Sequence, residues 1–442
     1  MKKVLICLLS VVMLLALVGC SGDGSSNNNN KKPNQEIHDN PDANTLAGVN
    51  LEVAVNFTGD AQTAFAAICS NFENRYGATV TVDWYGSDHA TLMTTRMAAN
   101  NMPDVYVTAG WSIKKYKDYS LDLRDEPYCK DYTDSALGVI KDKDGSIYVC
   151  MVSEGINGVV YNVNVCKEAG VDYLSIHTWD DLWAACEKIK EAGFTPIASR
   201  PNAGMTSNAV GTWLTYEGEV ANVGDKLLDG TWNWEEYRYV LDAYGQAVDK
   251  GYFFADAKSM NEMDTLERLA SGRAGIIIGD NTASVQTMYE MNSKGDFAIG
   301  PFPASTEEGV EAITVGEGDA FAISKNSKNI DAAKIFLRYL AEEEVTRKLI
   351  SATGRKACQE SVLANDDTDG TKAFLRLEEE YADHKMIYAN IFDREYLPAG
   401  MFGILGNVAG KIFAGRSEAD KKEAISYLKE NFDRLYKETK QQ

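Results

Sequence analysis

Histidine is scarce in this chain. His38, His89, His177 and His384 are the four present among 442 residues, and no two stand at metal-ligand spacing. There is no G-x-S-x-G elbow and no phosphate-cradling P-loop. Catalysis therefore has little support, and the chain is expected to be no enzyme, with no cofactor and no metal. Basic residues are outnumbered by acidic ones, 44 to 65, for a net charge of -21. A polyanion repels phosphate backbones and offers no basic patch to anionic lipid, so nucleic acid is not expected as a partner. None of the eight cysteines forms a C-x-x-C pair. Cys69, Cys129, Cys150, Cys166, Cys186 and Cys358 are scattered, several among apolar residues. Buried thiols are expected ahead of a bridge framework, and spacing fixes no pairing. No internal repeat is visible.

What is present begins with Lys2 and Lys3, an apolar run from Val4 to Val18, and Gly19-Cys20. A positive head, a short apolar core and a small residue before a break make a secretory signal over residues 1–19. The run is too short for a lasting span, which needs roughly 20 apolar residues. Leu17-Val18-Gly19-Cys20 resembles the lipobox of bacterial lipoproteins. That resemblance implies lipidation of Cys20, a mature chain outside the cytoplasm, and membrane attachment through acyl chains alone. The alternative is an ordinary secretory signal with an incidental Cys. A polar segment follows to about residue 47, with an Asn27 to Asn30 tract and almost nothing apolar. It cannot offset chain entropy by burial and reads as a tether. About 400 residues remain, too many for one ordinary core, so two lobes are expected.

Val49, Leu51, Val53 and Val55 alternate as a strand, and Phe65, Ile68, Phe72 and Tyr76 recur at helical spacing up to Gly77. A strand over Thr79 to Tyr85, a helix over Ala90 to Ala99 and a strand over Asp104 to Val107 complete a parallel α/β order. In such sheets ligands gather outside the carboxyl ends of the strands. Those ends feed three loops: Phe57 to Asp60, Tyr85 to Asp88, and Thr108 to Trp111. Further on, Asp142 to Gly145 reads as a hairpin turn, Trp179 to Ala192 and Trp232 to Val248 as helices, and Ile276 to Ile278 as a buried strand. Phe321 to Ile323 reads as a strand, Ile330 to Leu340 as a helix, and the C-terminal third as mostly helical. Asn365 to Gly370 imitates a calcium loop, but Arg376 occupies the place of the final Glu, so it reads as a polar helix break.

Several short markers then line up in order. They include Phe72-Glu73-x-x-Tyr76-Gly77, Met102-Pro103-Asp104-Val105, Asp144-Gly145-x-x-Tyr148, Tyr161-Asn162 and Thr178-Trp179-Asp180-Asp181-Leu182. Leu269-Ala270-Ser271-Gly272-Arg273-Ala274-Gly275, Gly300-Pro301-Phe302-Pro303 and Ile323-Ser324-Lys325-Asn326 follow. With these the chain resembles, over about 48–430, the family 1 extracellular solute-binding proteins of ABC sugar importers, related to maltose-binding protein. It departs from them at Val163, at Val149-Cys150-Met151 and at Asp280-Asn281, the last where relatives often carry a Trp. The resemblance implies a two-lobed periplasmic-binding-protein (type II) α/β fold with a ligand cleft between lobes. Lobe one would be 48–156 plus 313–358, and lobe two 157–312 plus 359–442. Hinge strands would lie near Gly155 to Gly158 and Ala312 to Gly316. The implied partners are a small-molecule carbohydrate and the ABC permease subunits, and the implied state is a monomer.

Sugar C–H faces lie on aromatic rings, and sugar hydroxyls demand paired donors and acceptors. Lobe one would offer Phe57, Asp60, Tyr85 and Trp111. Lobe two would offer Trp213, Tyr216, Asp280 and Asn281, while Glu154, Glu317 and Asp319 fall near the hinge strands and Phe402 in the C-terminal segment. Trp84, Trp179, Trp183, Trp232 and Trp234 are expected in the core. Few arginines among these residues argues against phosphate or carboxylate ligands. The competing readings are a surface glycoside hydrolase and a binder of another solute such as a polyamine.

Overall fold

The computed structural model describes residues 45–202, 204–208, 223–304 and 306–440. The signal, Cys20 and most of the tether lie outside the described residues. Strand β1 (Asn50–Val55) places Leu51, Val53 and Val55 in the core. The helix Gly59–Tyr76 buries Phe65, Ile68, Phe72 and Tyr76 and ends at Gly77, whose N–H donates to the Glu73 carbonyl. β2 (Thr79–Trp84) and β3 (Val105–Thr108) flank β1, both parallel to it. Trp84 differs from expectation. At the end of β2, the edge strand of its sheet, it is 36% exposed, with its ring T-shaped to that of Phe65 at 6.1 Å.

β4 (Cys150–Met151) leads almost directly into β5 (Ser153–Asn162), a fully buried strand. β6 (Thr195–Ile197), β7 (Ala274–Asn281), β8 (Phe297–Gly300) and β9 (Glu311–Glu317) follow, then β10 (Ala320–Ile323), β11 (Lys356–Ala357) and β12 (Met386–Asn390). The first sheet has the order β2-β1-β3-β10-β4, and the second the order β12-β9-β5-β7-β6, with β8 and β11 also paired to β5. The result is a two-lobed α/β fold. One apolar core surrounds the first sheet, where Phe65 stacks on Phe321 at 5.5 Å and Phe72 meets Phe336 edge-on at 4.9 Å. Two others cover the faces of the second sheet. The first gathers Trp179, Trp232, Trp234 and the helices Met401–Ala414 and Glu418–Lys440; the second gathers Phe297, Ile299 and Phe374.

The chain passes between the sheets at adjacent points. Between β4 and β5 the Val152 N–H donates to the Asp319 carbonyl at 2.9 Å. Between β9 and β10 stands Gly318, where a Cβ would lie 1.9 Å from the Ser153 carbonyl oxygen, so no side chain fits this crossing. A third link is β11, which follows the helix Glu343–Thr353 and pairs antiparallel with β5. The six scattered cysteines are all buried free thiols, and burial pushes Cys69 and Cys129 up to about 12. No described helix is long and apolar enough to cross a membrane.

Candidate functional site

Two open depressions lie at carboxyl ends of strands. The first, about 400 Å³, sits where β1, β2 and β3 end, at Asn56, Gly86, Ser87, Thr108 and Ala109. Gly318, Asp319 and Arg355 close it from the crossing side. Asp319 is buried; its carboxylate accepts from Ser153 Oγ at 2.6 Å and from Arg355 Nη1 at 2.8 Å. Arg355 is thus held at the rim by a fixed acceptor. Across from it stand His89 and Lys115. Burial and the Lys115 charge hold His89 down at about 4, so its ring is neutral at physiological pH. Its Nε2 is buried without a hydrogen-bond partner among the described residues, a polar atom available to a ligand.

The second depression, about 150 Å³, is formed where β7 ends at Gly279, Asp280 and Asn281, beside Arg200, Arg394 and Phe402. Gly279 has φ +80°, and a Cβ there would meet the Gly204 backbone at 2.7 Å, so this floor depends on glycine. Asp280 Oδ1 accepts from the Asn281 N–H at 2.9 Å and from Ser284 Oγ. Burial nevertheless pushes its carboxyl up to about 6. Asn281 caps the helix Thr282–Met291, accepting from the Ser284 N–H. Phe402 is 40% exposed, with the Arg394 guanidinium 4.9 Å from its ring centroid. Lys114, next to the first depression, pairs with Glu395, next to Arg394.

The structure therefore brings Asp280, Asn281 and Phe402 to one pocket and Asp319 to the other. It places other predicted residues elsewhere. Phe57 is buried against Phe65 at 5.1 Å, and its neighbour Asn56 lines the pocket instead. Glu154 is wholly buried and pairs with Lys356 Nζ at 3.0 Å. The Tyr85 hydroxyl donates to Asp83 and accepts from Arg96. Asp60 is exposed in the first turn of its helix and lines neither pocket. Trp213 and Tyr216 lie outside the described residues, as do the side chains of Trp111 and Glu317. The expectation of few arginines also needs correction. Arg355, Arg200 and Arg394 all reach the pockets, and each is tied to a carboxylate: Asp319, Glu262 and Asp393. Arg200 follows β6, so the strand-end rule could have found it; Arg355 follows no readable pattern.

Two α/β lobes, joined at adjacent crossings and carrying open polar pockets at their strand ends, define a two-lobed solute-binding protein. The family model for bacterial extracellular solute-binding protein matches residues 56–347, and the chain belongs to that family. It is 26% identical over 425 residues to the melibiose/raffinose/stachyose-binding protein MelE of Bacillus subtilis, covering 94% of this chain and 92% of the relative. It is 25% identical to the arabinooligosaccharide-binding protein of the same organism, covering 80% of each. The fold matches a Bacillus subtilis binding protein solved in an open conformation, with TM-score 0.80, 23% identity, and coverage of 89% of this chain and 99% of that one. It also matches a Bacillus licheniformis sugar transporter protein solved with stachyose, with TM-score 0.72, 23% identity, and coverage of 88% and 100%.

Proposed function

We propose that the chain captures an oligosaccharide outside the cell and delivers it to the permease subunits of an ABC importer. The observation that carries this reading is the second pocket. Phe402, 40% exposed with the Arg394 guanidinium over its ring, stands there with Asp280, Asn281 and Arg200, the mixture that sugar C–H faces and hydroxyls require. The names of the two Bacillus subtilis relatives support the same ligand class. Arg355, Lys115, Arg200 and Arg394 at the pockets disfavour a polyamine. The family is one of binding proteins, which disfavours the hydrolase reading.

The lobes expected at 48–156 plus 313–358 and 157–312 plus 359–442 are proposed to meet instead at the crossings at Val152–Ser153 and Gly318–Asp319, because β5 and β9 lie whole in the second sheet. Anchoring through lipid on Cys20 is supported by the sequence around it. Cys20→Ala is expected to shift the protein from the detergent to the aqueous phase of a detergent split. Calorimetry with raffinose, stachyose and arabino-oligosaccharides tests the function. Saturable one-to-one binding of at least one of these is expected; heat-silent titrations with all of them and with a wider glycan panel would reject the sugar reading.

A further inference from the structure

Away from both pockets, three side chains that lie far apart in sequence converge. His177 precedes the helix Trp179–Glu191, Glu311 opens β9, and His384 stands just before β12. Their ligand atoms all lie within 4.8 Å of one another. One Glu311 oxygen, Oε2, is 2.7 Å from His384 Nδ1 and 3.2 Å from His177 Nδ1. Glu311 is wholly buried, and its second oxygen, Oε1, has no hydrogen-bond partner among the described residues. A buried carboxylate oxygen left unpaired is costly, so the Glu311 carboxylate keeps unused capacity for a cation or donor beyond its two histidine contacts.

The histidine geometry narrows the choice. His177 Nε2 lies 3.1 Å from the Glu307 carbonyl oxygen, which can only accept. Nε2 therefore carries the hydrogen, and in the neutral ring Nδ1 presents a lone pair towards Glu311. A lone pair facing a carboxylate is repulsive unless a proton or a metal ion lies between them. Metal-bound histidines commonly donate the other ring N–H to a carbonyl in this way. Two imidazole nitrogens and one carboxylate suit zinc and its neighbours, whereas calcium and magnesium prefer all-oxygen shells. A tetrahedral ion with bonds of about 2.0–2.1 Å needs donor atoms about 3.3 Å apart; the His177–Glu311 spacing of 3.2 Å fits, and the 2.7 Å between His384 and Glu311 must widen to admit the ion.

We propose that His177, Glu311 and His384 form a binding site for one divalent transition-metal ion of the zinc class. The ion joins the segment before Trp179, strand β9 and the connection into β12. β9 runs from Glu311 towards the crossing at Gly318, roughly 20 Å away at strand rise. The metal therefore fastens the β9–β12 edge of the second sheet and does not touch the solute.

Zinc chloride is titrated calorimetrically into the chelator-treated full chain, and cobalt is added in parallel for its visible spectrum. One ion per chain, a raised melting temperature and a tetrahedral cobalt band are expected. His177→Ala and His384→Ala should each lower zinc affinity at least about tenfold and remove the cobalt band. His89→Ala should leave both unchanged. Should His384→Ala fail to fold, the partly exposed His177→Gln carries the same test. Absence of zinc binding in the wild type, or binding that survives His177→Ala and His177→Gln, overturns the proposal and leaves an imidazole–carboxylate hydrogen-bond cluster.

Discussion

Asp280 concentrates the chemistry of the second pocket in one titration. A carboxyl raised from 3.8 to about 6 by burial holds its proton more tightly in the folded chain than in the unfolded one. The folded state then binds more protons between those values, so stability falls as pH rises through that window. Asp280→Asn is expected to stabilise the free protein by about 1–2 kcal/mol at neutral pH in urea unfolding, after discounting for partial exposure. The same change removes the anionic acceptor, so sugar affinity should drop while stability rises; a variant no more stable than wild type would show that the carboxylate is not strained. Phe402 and Phe57 provide a matched pair. Phe402→Ala trims a side chain 40% exposed and should spare stability while weakening sugar binding by about 1–3 kcal/mol, a scale borrowed from base stacking. Phe57→Ala empties a core position and should cost about 3–5 kcal/mol in unfolding free energy. Equal losses of binding in both variants, with folding intact, would place Phe57 in the site after all. The three lobe-one loops were legible from strand order, but the residues within them were not. Pocket one is lined by Asn56 and Gly86, next in sequence to the expected Phe57 and Tyr85. A one-residue step along a strand end reverses the face a side chain meets, and composition cannot resolve that step.

Among the elements, strong apolar periodicity predicts the long helices, whereas short strand pairing leaves no signal in the sequence. The helices Gly59–Tyr76, Trp179–Glu191 and Ile330–Leu340 follow their apolar spacing closely, and Thr178 caps the second of them, accepting from the Asp181 N–H. The stretch read as one helix from Trp232 is instead a 3-10 turn at Trp234–Tyr237 followed by the α-helix Arg238–Asp249. β12 went unseen in a region read as mostly helical, because its five residues gain their strand form from pairing with β9. β11, two residues long, was equally invisible, yet it brings Lys356 to Glu154. Neither side chain of this pair is exposed. Ser135 donates to Glu154 Oε2 at 2.8 Å, and Lys356 Nζ lies 4.6 Å from the Phe374 ring. Removing one partner leaves a buried charge, which costs far more than removing both. Lys356→Met is expected to lose about 3–5 kcal/mol of stability, and the double variant with Glu154→Gln to recover most of it. A double variant as unstable as the single one would mean that packing around β11, not charge pairing, dominates. The histidine–glutamate cluster escaped the sequence for the same reason as β11, since its members meet only through tertiary pairing.

For the whole molecule the decisive feature is how little chain joins the two sheets on the path from β4 to β5 and from β9 to β10. Two adjacent crossings, with no room for a side chain at Gly318, are the pivot proposed above, and β11 is a third link beside them. The Lys114–Glu395 pair also links the pocket rims, but with Lys114 68% exposed it is a surface pair worth about 0–1 kcal/mol and cannot hold the lobes by itself. In the proposed closure a solute touches Arg355 and His89 on one side and Asp280 and Phe402 on the other, and it has both sets of contacts only when the pockets approach. Its differential affinity then shifts the open–closed balance. In the proposed function the closed form would present the permease with a surface that the open form lacks, which would couple capture to delivery. X-ray scattering with a saturating oligosaccharide should therefore give a smaller radius of gyration than the free protein. Asp280→Asn and Phe402→Ala should need more sugar to reach the same compaction, because they weaken one side of the clamp. Superimposable free and bound profiles, at a sugar concentration where calorimetry shows saturation, would mean that one pocket binds alone and that the proposed lobes do not close on the solute.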